Sequence, residues 1–353
     1  MIDKKLEKRM LMNMIPMVIV FNMIILIMIG CKQDNDHLVV YTSVDRVYSE
    51  EVFKLFTEET GIEVKAVYDV EATKTTGLVN RLISEKDKPV ADVFWNGEII
   101  YTLRLKEENV LAPYKSENSQ GLPDQFVDSE FMWTAFGGRA RVFIVNKDLI
   151  DRSDIEPSIY KMHLQAEEYS IGLAKPMFGT TATHVAGIYA IKGQDETYNL
   201  FKQIDESNVN IVDGNGAVRD MVVSGQLDFG LTDTDDALSA VNKGAMVDLV
   251  FPDQEDDECG TLIIPNSVAL IQGCDNSEEG KLFIDFLLEK DTIEYMISIG
   301  WIQIAYKDDL LIDENLKPFL PEDGDLKIMQ VSFEEIVEKL MESSEDMKDL
   351  FLD

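Results

Sequence analysis

The residues in this chain whose spacing could do chemistry are carboxylates and hydroxyls. Asp233, Asp235 and Asp236 fall within four positions in Thr232-Asp233-Thr234-Asp235-Asp236, ahead of an apolar-periodic stretch. Two readings compete. Asp and Thr at this place cap the free N–H groups of a helix, and acids in a first turn suit its dipole. Alternatively, one or two of them point outward as hard oxygen ligands of the kind that suit Fe(III), Ca, Mg or Mn. Asp45, in Thr42-Ser43-Val44-Asp45-Arg46, poses the same choice. Gly179-Thr180-Thr181 opens another apolar stretch. Backbone N–H groups and hydroxyls converging there would cradle an anion; an ordinary Thr cap is the plainer account. Arg139 and Arg141 would close around such an anion or pair with nearby acids. Tyr41 and Trp95, at strand ends, would stack on an organic ligand or belong to the core.

Catalysis finds little support. The chain has no G-x-S-x-G elbow, no P-loop and no nucleophile with a matching base. Cys259 sits in an acidic loop that raises a thiol pKa, the wrong direction for a nucleophile. Three histidines (His37, His163, His184) and no C-x-x-C argue against zinc. His184, alone in a helical stretch, reads as structural. The residues point to binding, with no catalytic cofactor.

The loops bearing these residues follow a repeating pattern. Leu38 to Tyr41, Val64 to Tyr68 and Ala91 to Trp95 read as strands. Helices are expected over Ser49 to Thr60, Thr75 to Ser84 and Ile99 to Glu108. The alternation restarts with strands at Ile171 to Ala174, Val209 to Val212, Phe229 to Leu231 and Val247 to Phe251. Its helices are expected over Thr181 to Ile191, Tyr198 to Ile204, Val218 to Val223 and Asp235 to Asn242. Phe333 to Leu352 reads as a final helix. Two such units make an α/β protein of two lobes. Arg141 to Asn146, after Gly137-Gly138, is a natural crossover, and Leu262 to Leu270 a return. The expected division is 38-140 plus about 266-315 for one lobe and 141-265 plus about 316-353 for the other. Ligands of open α/β sheets sit beyond the carboxyl ends of strands. That rule adds Glu71, Glu98 and Asn215 to the candidates, in Asp69-Val70-Glu71-Ala72-Thr73, Asn96-Gly97-Glu98 and Asp213-Gly214-Asn215-Gly216.

The N-terminus sets the compartment. Residues 1–10 carry Lys4, Lys5, Lys8 and Arg9 against Asp3 and Glu7, and an apolar run extends from Leu11 to Gly30. A basic head, an apolar middle and a small residue before a cut site make a secretory signal. Cys31, directly after Gly30, marks it as a lipoprotein signal over 1-30, with 31-37 as anchor linker. A retained transmembrane span is the alternative. The formal charge of -34 repels nucleic acid, whose backbone needs basic neutralisation. Such an extracytoplasmic compartment permits a bridge between Cys259 and Cys274. The extended segment from Leu262 to Ile271 works against it by holding them apart.

With these segments in view, the chain resembles the ferric-iron-type periplasmic binding proteins of ABC importers, within the family 1 extracellular solute-binding proteins. The resemblance rests on Val39-Val40-Tyr41-Thr42-Ser43, Glu59-Thr60-Gly61-Ile62-Glu63-Val64, Ala91-Asp92-Val93-Phe94-Trp95 and Gly138-Arg139-Ala140-Arg141-Val142. Gly225-Gln226-Leu227-Asp228-Phe229-Gly230 and Ala269-Leu270-Ile271 with Phe283-Ile284-Asp285-Phe286-Leu287 complete it. It implies a two-lobe periplasmic-binding-protein (transferrin-like) fold with a hinge and interlobe cleft. It also implies a monomer that delivers a small ligand to permease and ATPase subunits and is tethered to the membrane by its lipid. Iron binders of this group use a histidine after the first strand, a carboxylate after the third and two adjacent tyrosines in the second lobe. Here Asp45, Glu98 and the pair Asp235-Asp236 fall in those places. Gly179-Thr180-Thr181 and Asn215 match the positions that hold the synergistic anion. The ligand so implied is Fe(III) with carbonate or phosphate, on Asp45, Glu98, Asp235 and Asp236. Four such carboxylates in one cleft raise each other's pKa unless a cation neutralises them. Tyr41, Glu71, Trp95, Arg139 and Asp233 are further expected cleft residues. The alternative is a small organic phosphate, phosphonate or cationic solute; an enzyme on the same fold ranks lower.

Overall fold

A computed structural model describes residues 37–68, 76–321 and 325–352. The signal segment, Cys31 and Glu71 therefore lie outside the described residues. Strand β1 (His37–Thr42) leads into the helix Arg46–Thr60. Val52, Phe53 and Phe56 make the buried face of that helix. Gly61 ends it at φ 77°, its N–H donating to the Thr57 carbonyl, a left-handed stop that glycine adopts without strain. Then follow β2 (Glu63–Tyr68), β3 (Val93–Asn96), β4 (Leu111–Ala112), β5 (Thr134–Asn146), β6 (Ile171–Ala174) and β7 (Asn210–Val212). The remaining strands are β8 (Phe229–Asp233), β9 (Val247–Val250), β10 (Ile263–Ile271), β11 (Ile304–Lys307) and β12 (Asp309–Ile312).

The strands form two sheets. In the first, β2, β1 and β3 run parallel, and β10 pairs antiparallel with β3 and with the first half of β5. In the second, β7, β6 and β8 run parallel, and the second half of β5 pairs antiparallel with β8 and β9. One thirteen-residue strand thus serves both sheets. It changes partner between Ala140, opposite Ile263, and Arg141, opposite Asp233. Gly137 and Gly138 permit the crossing: a Cβ on Gly138 would lie 2.8 Å from the Pro265 Cα, and one on Gly137 2.6 Å from the Ala305 Cβ.

Helices cover both sheets. Phe53 and Phe56 meet Phe283 of the helix Ser277–Leu287 at ring separations of 5.7 and 5.1 Å. Beside the second sheet, the helix Phe333–Phe351 packs on the helix Gly179–Lys192. Most expected elements are present within a few residues of their expected ends. The sequence reading did not set out the helix pair Ser277–Leu287 and Lys290–Ser298, the hairpin of β11 and β12, or the first half of β5. Cys259 and Cys274 are free thiols. The fully buried β10 runs between them, and at about 3.3 Å per residue it holds them far beyond disulfide range.

Candidate functional site

A cavity of about 770 Å³ opens where loops of the two sheets face each other. Thr42 to Arg46, Tyr68, Gly97, Glu98, Tyr101 and Trp301 line one side; Gly179, Thr180, Asn215, Asp233 and Asp235 line the other, with Arg139 of the shared strand. Apart from Trp301, which follows a helix, and Arg139, both sets lie at or just after strand ends, as the topology of open α/β sheets requires.

Five helices begin at this cavity: Arg46–Thr60, Ile99–Glu107, Gly179–Lys192, Asn215–Val223 and Thr234–Asn242. Their cap positions hold Asp45, Glu98, Phe178, Gly214 and Asp233, and none makes a side-chain cap bond. Asp45 and Asp233 are competent caps, so simple capping does not account for them. The Asp233 carboxylate is turned instead to Arg141, Thr180 and Asn215, and that of Asp45 faces the cavity.

The floor of the cavity is a closed network around Asp233. Arg141 is fully buried and lies directly opposite Asp233 in the β5–β8 ladder. Its Nη1 donates to Asp233 Oδ1 at 2.6 Å and also to Asn215 Oδ1 at 3.0 Å. Asp233 Oδ2 accepts from the Thr180 hydroxyl at 2.7 Å and from Asn215 Nδ2 at 3.0 Å, and Arg139 Nε approaches it at 3.5 Å. Arg141 Nη2 donates to Thr181 at 3.2 Å. Two guanidinium groups and two polar side chains thus converge on one buried carboxylate, the arrangement that makes burying charge tolerable. Arg139 keeps its proton more firmly than usual: burial opposes the charge, but Asp233, Asp235 and Glu98 outweigh it.

The wall carries free carboxylates. Asp45 and Asp235 are exposed, Glu98 half-buried. Among the described residues none of the three is within 4.0 Å of a cationic side chain, whereas Arg46 pairs with Glu50 and Arg139 and Arg141 with Asp233. Glu98 accepts a hydrogen bond from Thr183 at 3.3 Å, which links loops of the two lobes, and burial raises its pKa. Loss of surrounding water and then Asp233 raise the Asp235 carboxyl as well. Tyr68, Tyr101 and Trp301 supply aromatic surface beside them.

The expected site residues do not all meet. Asp45, Glu98, Asp235, Gly179, Thr180, Asn215, Asp233 and Arg139 reach the cavity. Asp236 does not line it; Arg219 holds its Oδ1 at 2.7 Å, and burial followed by Asp235 pushes its pKa up to about 6. Thr181 lies beneath the wall, bound to Arg141. Tyr41 and Trp95 are core residues. The Tyr41 hydroxyl donates to Glu85 at 3.0 Å, and Trp95 packs edge-on to Phe53. They lie on opposite faces of the first sheet, and both faces are covered. His184 is fully buried with both ring nitrogens unpartnered, and burial lowers its pKa to about 3, so it is neutral. Tyr68, Tyr101 and Trp301 were missed. Tyr68 ends β2, where the strand-end rule would have found it; Trp301 follows a helix the sequence reading did not contain.

The family model described as "Bacterial extracellular solute-binding protein" matches residues 41–293, and the chain belongs to that family. It is 24% identical over 279 residues to the "Putative 2-aminoethylphosphonate-binding periplasmic protein" of Salmonella typhimurium, covering 77% of this chain and 78% of that one. It is 26% identical over 263 residues to the "Major ferric iron-binding protein" of Neisseria meningitidis, covering 72% and 76%. A Trichodesmium protein solved in complex with iron and citrate shares the fold, with a TM-score of 0.76, 20% identity, and coverage of 90% of this chain and 100% of that one. The architecture is therefore the two-lobe solute-receptor fold, and these relatives are named for the solutes they bind, in keeping with binding as the activity.

Proposed function

We propose that this extracellular solute-binding protein of an ABC importer captures a small organic solute bearing a cationic group, such as an ammonium, and hands it to the permease. One observation carries the reading. Among the described residues, Asp45, Glu98 and Asp235 face the cavity with no cationic side chain within 4.0 Å, while the nearby guanidinium groups of Arg46, Arg139 and Arg141 are already paired with other carboxylates. A cation relieves their mutual repulsion. Tyr101 and Trp301 add ring faces, to which ammonium groups are attracted, while the guanidinium of Arg46 already lies 4.4 Å from the centre of the Tyr68 ring. The volume suits an organic solute. The compound in the name of the Salmonella relative contains an amine, which accords with this class.

Thermal shift and calorimetry with simple amines, 2-aminoethylphosphonate, ferric citrate, inorganic phosphate and a neutral sugar test the proposal. Amine-bearing compounds should raise the melting temperature. A response confined to neutral or purely anionic compounds overturns the reading.

Ferric iron is the second reading. Carboxylate oxygens of Asp233, Asp235 and Asp236 lie within 4.8 Å of one another, and several relatives are iron proteins. Arg141 already holds Asp233 and Arg219 holds one oxygen of Asp236, so a metal would share these carboxylates with two guanidinium groups. A chelator-reversible shift with iron, and none with amines, would favour it. The lobe boundaries given above, the anchor on Cys31 and a monomeric state belong to this proposal. Cys31→Ser should release the protein from the membrane or leave its precursor uncut.

A further inference from the structure

The cradle expected for a free anion is already occupied by the protein. Thr180 and Asn215 direct a hydroxyl and an amide N–H, at 2.7 and 3.0 Å, at one oxygen of Asp233. Arg141 directs a guanidinium at the other at 2.6 Å, and Arg139 stands 3.5 Å from the first. This is the donor set that a phosphate or carbonate would need, two cations with converging neutral donors, and a carboxylate of the chain fills it.

We propose that Asp233 is a built-in anion that determines specificity: it excludes small free anions from the Thr180–Asn215–Arg141 cradle and lets the cleft take its cation without an anionic companion. The inference rests on the cationic-solute reading only for its second clause. Two further observations support it. Asp233 occupies the cap position of the helix Thr234–Asn242 yet makes no cap bond there, so its carboxylate is given to the cradle in preference to its own helix. The surrounding donors are also used up. The Thr180 hydroxyl accepts from Asn215 Nδ2 at 2.7 Å and from Arg141 at 3.2 Å, and Asn215 Oδ1 accepts from Arg141 and Thr181. Of the Arg141 guanidinium nitrogens, Nε alone lacks a partner. An incoming anion would have to displace a carboxylate held at four points, and would meet Asp235 and Glu98 nearby.

The test is inorganic phosphate, titrated by calorimetry and phosphorus NMR into the wild-type protein and into Asp233→Ala. The wild type should not bind phosphate at millimolar concentration. The variant exposes two guanidinium groups and an empty cradle, and should bind it at least about a hundredfold more tightly, with a phosphate-dependent rise in melting temperature. If Asp233→Ala does not fold, Asp233→Ser removes the charge, also vacates the cradle and keeps a residue suited to the start of the helix, and it carries the same comparison. A purely structural role for Asp233 would give a destabilised variant that phosphate does not rescue, and that result overturns the proposal. So does wild-type phosphate binding that Thr180→Ala abolishes. Neither arm contains an amine, so exclusion of phosphate is tested separately from the cationic-solute reading. A wild-type amine response that required added phosphate or bicarbonate would overturn the second clause alone.

Discussion

Helix beginnings in this molecule that carry competent caps use them in opposite ways. Ser332 accepts from the Glu335 N–H, and Glu335 reaches back to the Ser332 N–H, a complete capping box at the start of Phe333–Phe351. Asp233 and Asp45 stand at the same position of their helices and cap nothing. The residue types are equally suited; what differs is surroundings. Ser332 starts a helix away from the cavity, where the only task is to satisfy N–H groups. Asp233 and Asp45 start helices that open on it. A cap withheld where it was available marks a group committed to something else. Withholding alone is not diagnostic: Asn276 also leaves its helix uncapped, and its side chain donates to Asp92 instead.

The contrast can be broken at several points. The largest effect should come from Arg141→Ala, which strands the buried Asp233 carboxylate; a loss of about 3–5 kcal/mol in denaturant unfolding is expected. A loss below about 1 kcal/mol would mean that the network does not hold the floor together. Next, Asp235→Asn should weaken binding of an amine ligand by roughly tenfold or more, while Asp236→Asn, off the wall and paired with Arg219, should weaken it less. Equal losses in calorimetry would place both carboxylates on the ligand.

The pH profile follows from the raised carboxyls. Asp236 titrates near 6 in the folded protein and near its ordinary value when unfolded, so the native state binds the extra proton between them. Stability of the ligand-free protein attributable to this group therefore falls as pH rises from about 4 to 6. A bound cation prefers ionised carboxylates, and Glu98 and Asp235 on the wall hold their protons to higher pH than usual, so its affinity should rise with pH as they ionise. Melting curves with and without ligand should diverge as pH increases; convergence would contradict the cationic reading. The smallest effect sharpens the comparison itself. Ser332→Ala should cost about 1 kcal/mol, and Asp45→Ala close to nothing, since only the first removes a cap bond. Similar costs for both would erase the distinction.

Much of the fold was legible because period and punctuation agree along most of the chain. Val52, Phe53 and Phe56 recur at helical spacing before Gly61, and Ile171 to Ala174 is a short apolar run between turns. The site was legible to the level of loops, since strand ends determine which loops meet. Which side chains then face one another depends on register, and that is not written locally. Arg139 and Arg141 alternate onto one face of β5, but only the pairing of Arg141 with Asp233 makes them the floor. The same pairing turned an expected anion cradle into an occupied one. Asp236 missed the wall because Arg219, one helix away, claims it. Tyr41 and Trp95 went to the core because both faces of the first sheet are covered, Tyr41 packing on one side and Trp95 on the other.

The strand shared by the two sheets has a mechanical consequence. Points near a pivot move little when two bodies rotate, and points far from it sweep through long arcs. Arg139 and Arg141 ride on the strand that joins the lobes, whereas Asp45 and Asp235 stand at the starts of helices belonging to different lobes. Under such a rotation the floor would stay nearly fixed, keeping free anions out, and the rim would be the moving jaw that sets how long a solute stays. Substitutions at the two levels should separate accordingly, with floor changes altering which solutes are accepted and rim changes altering the dissociation rate.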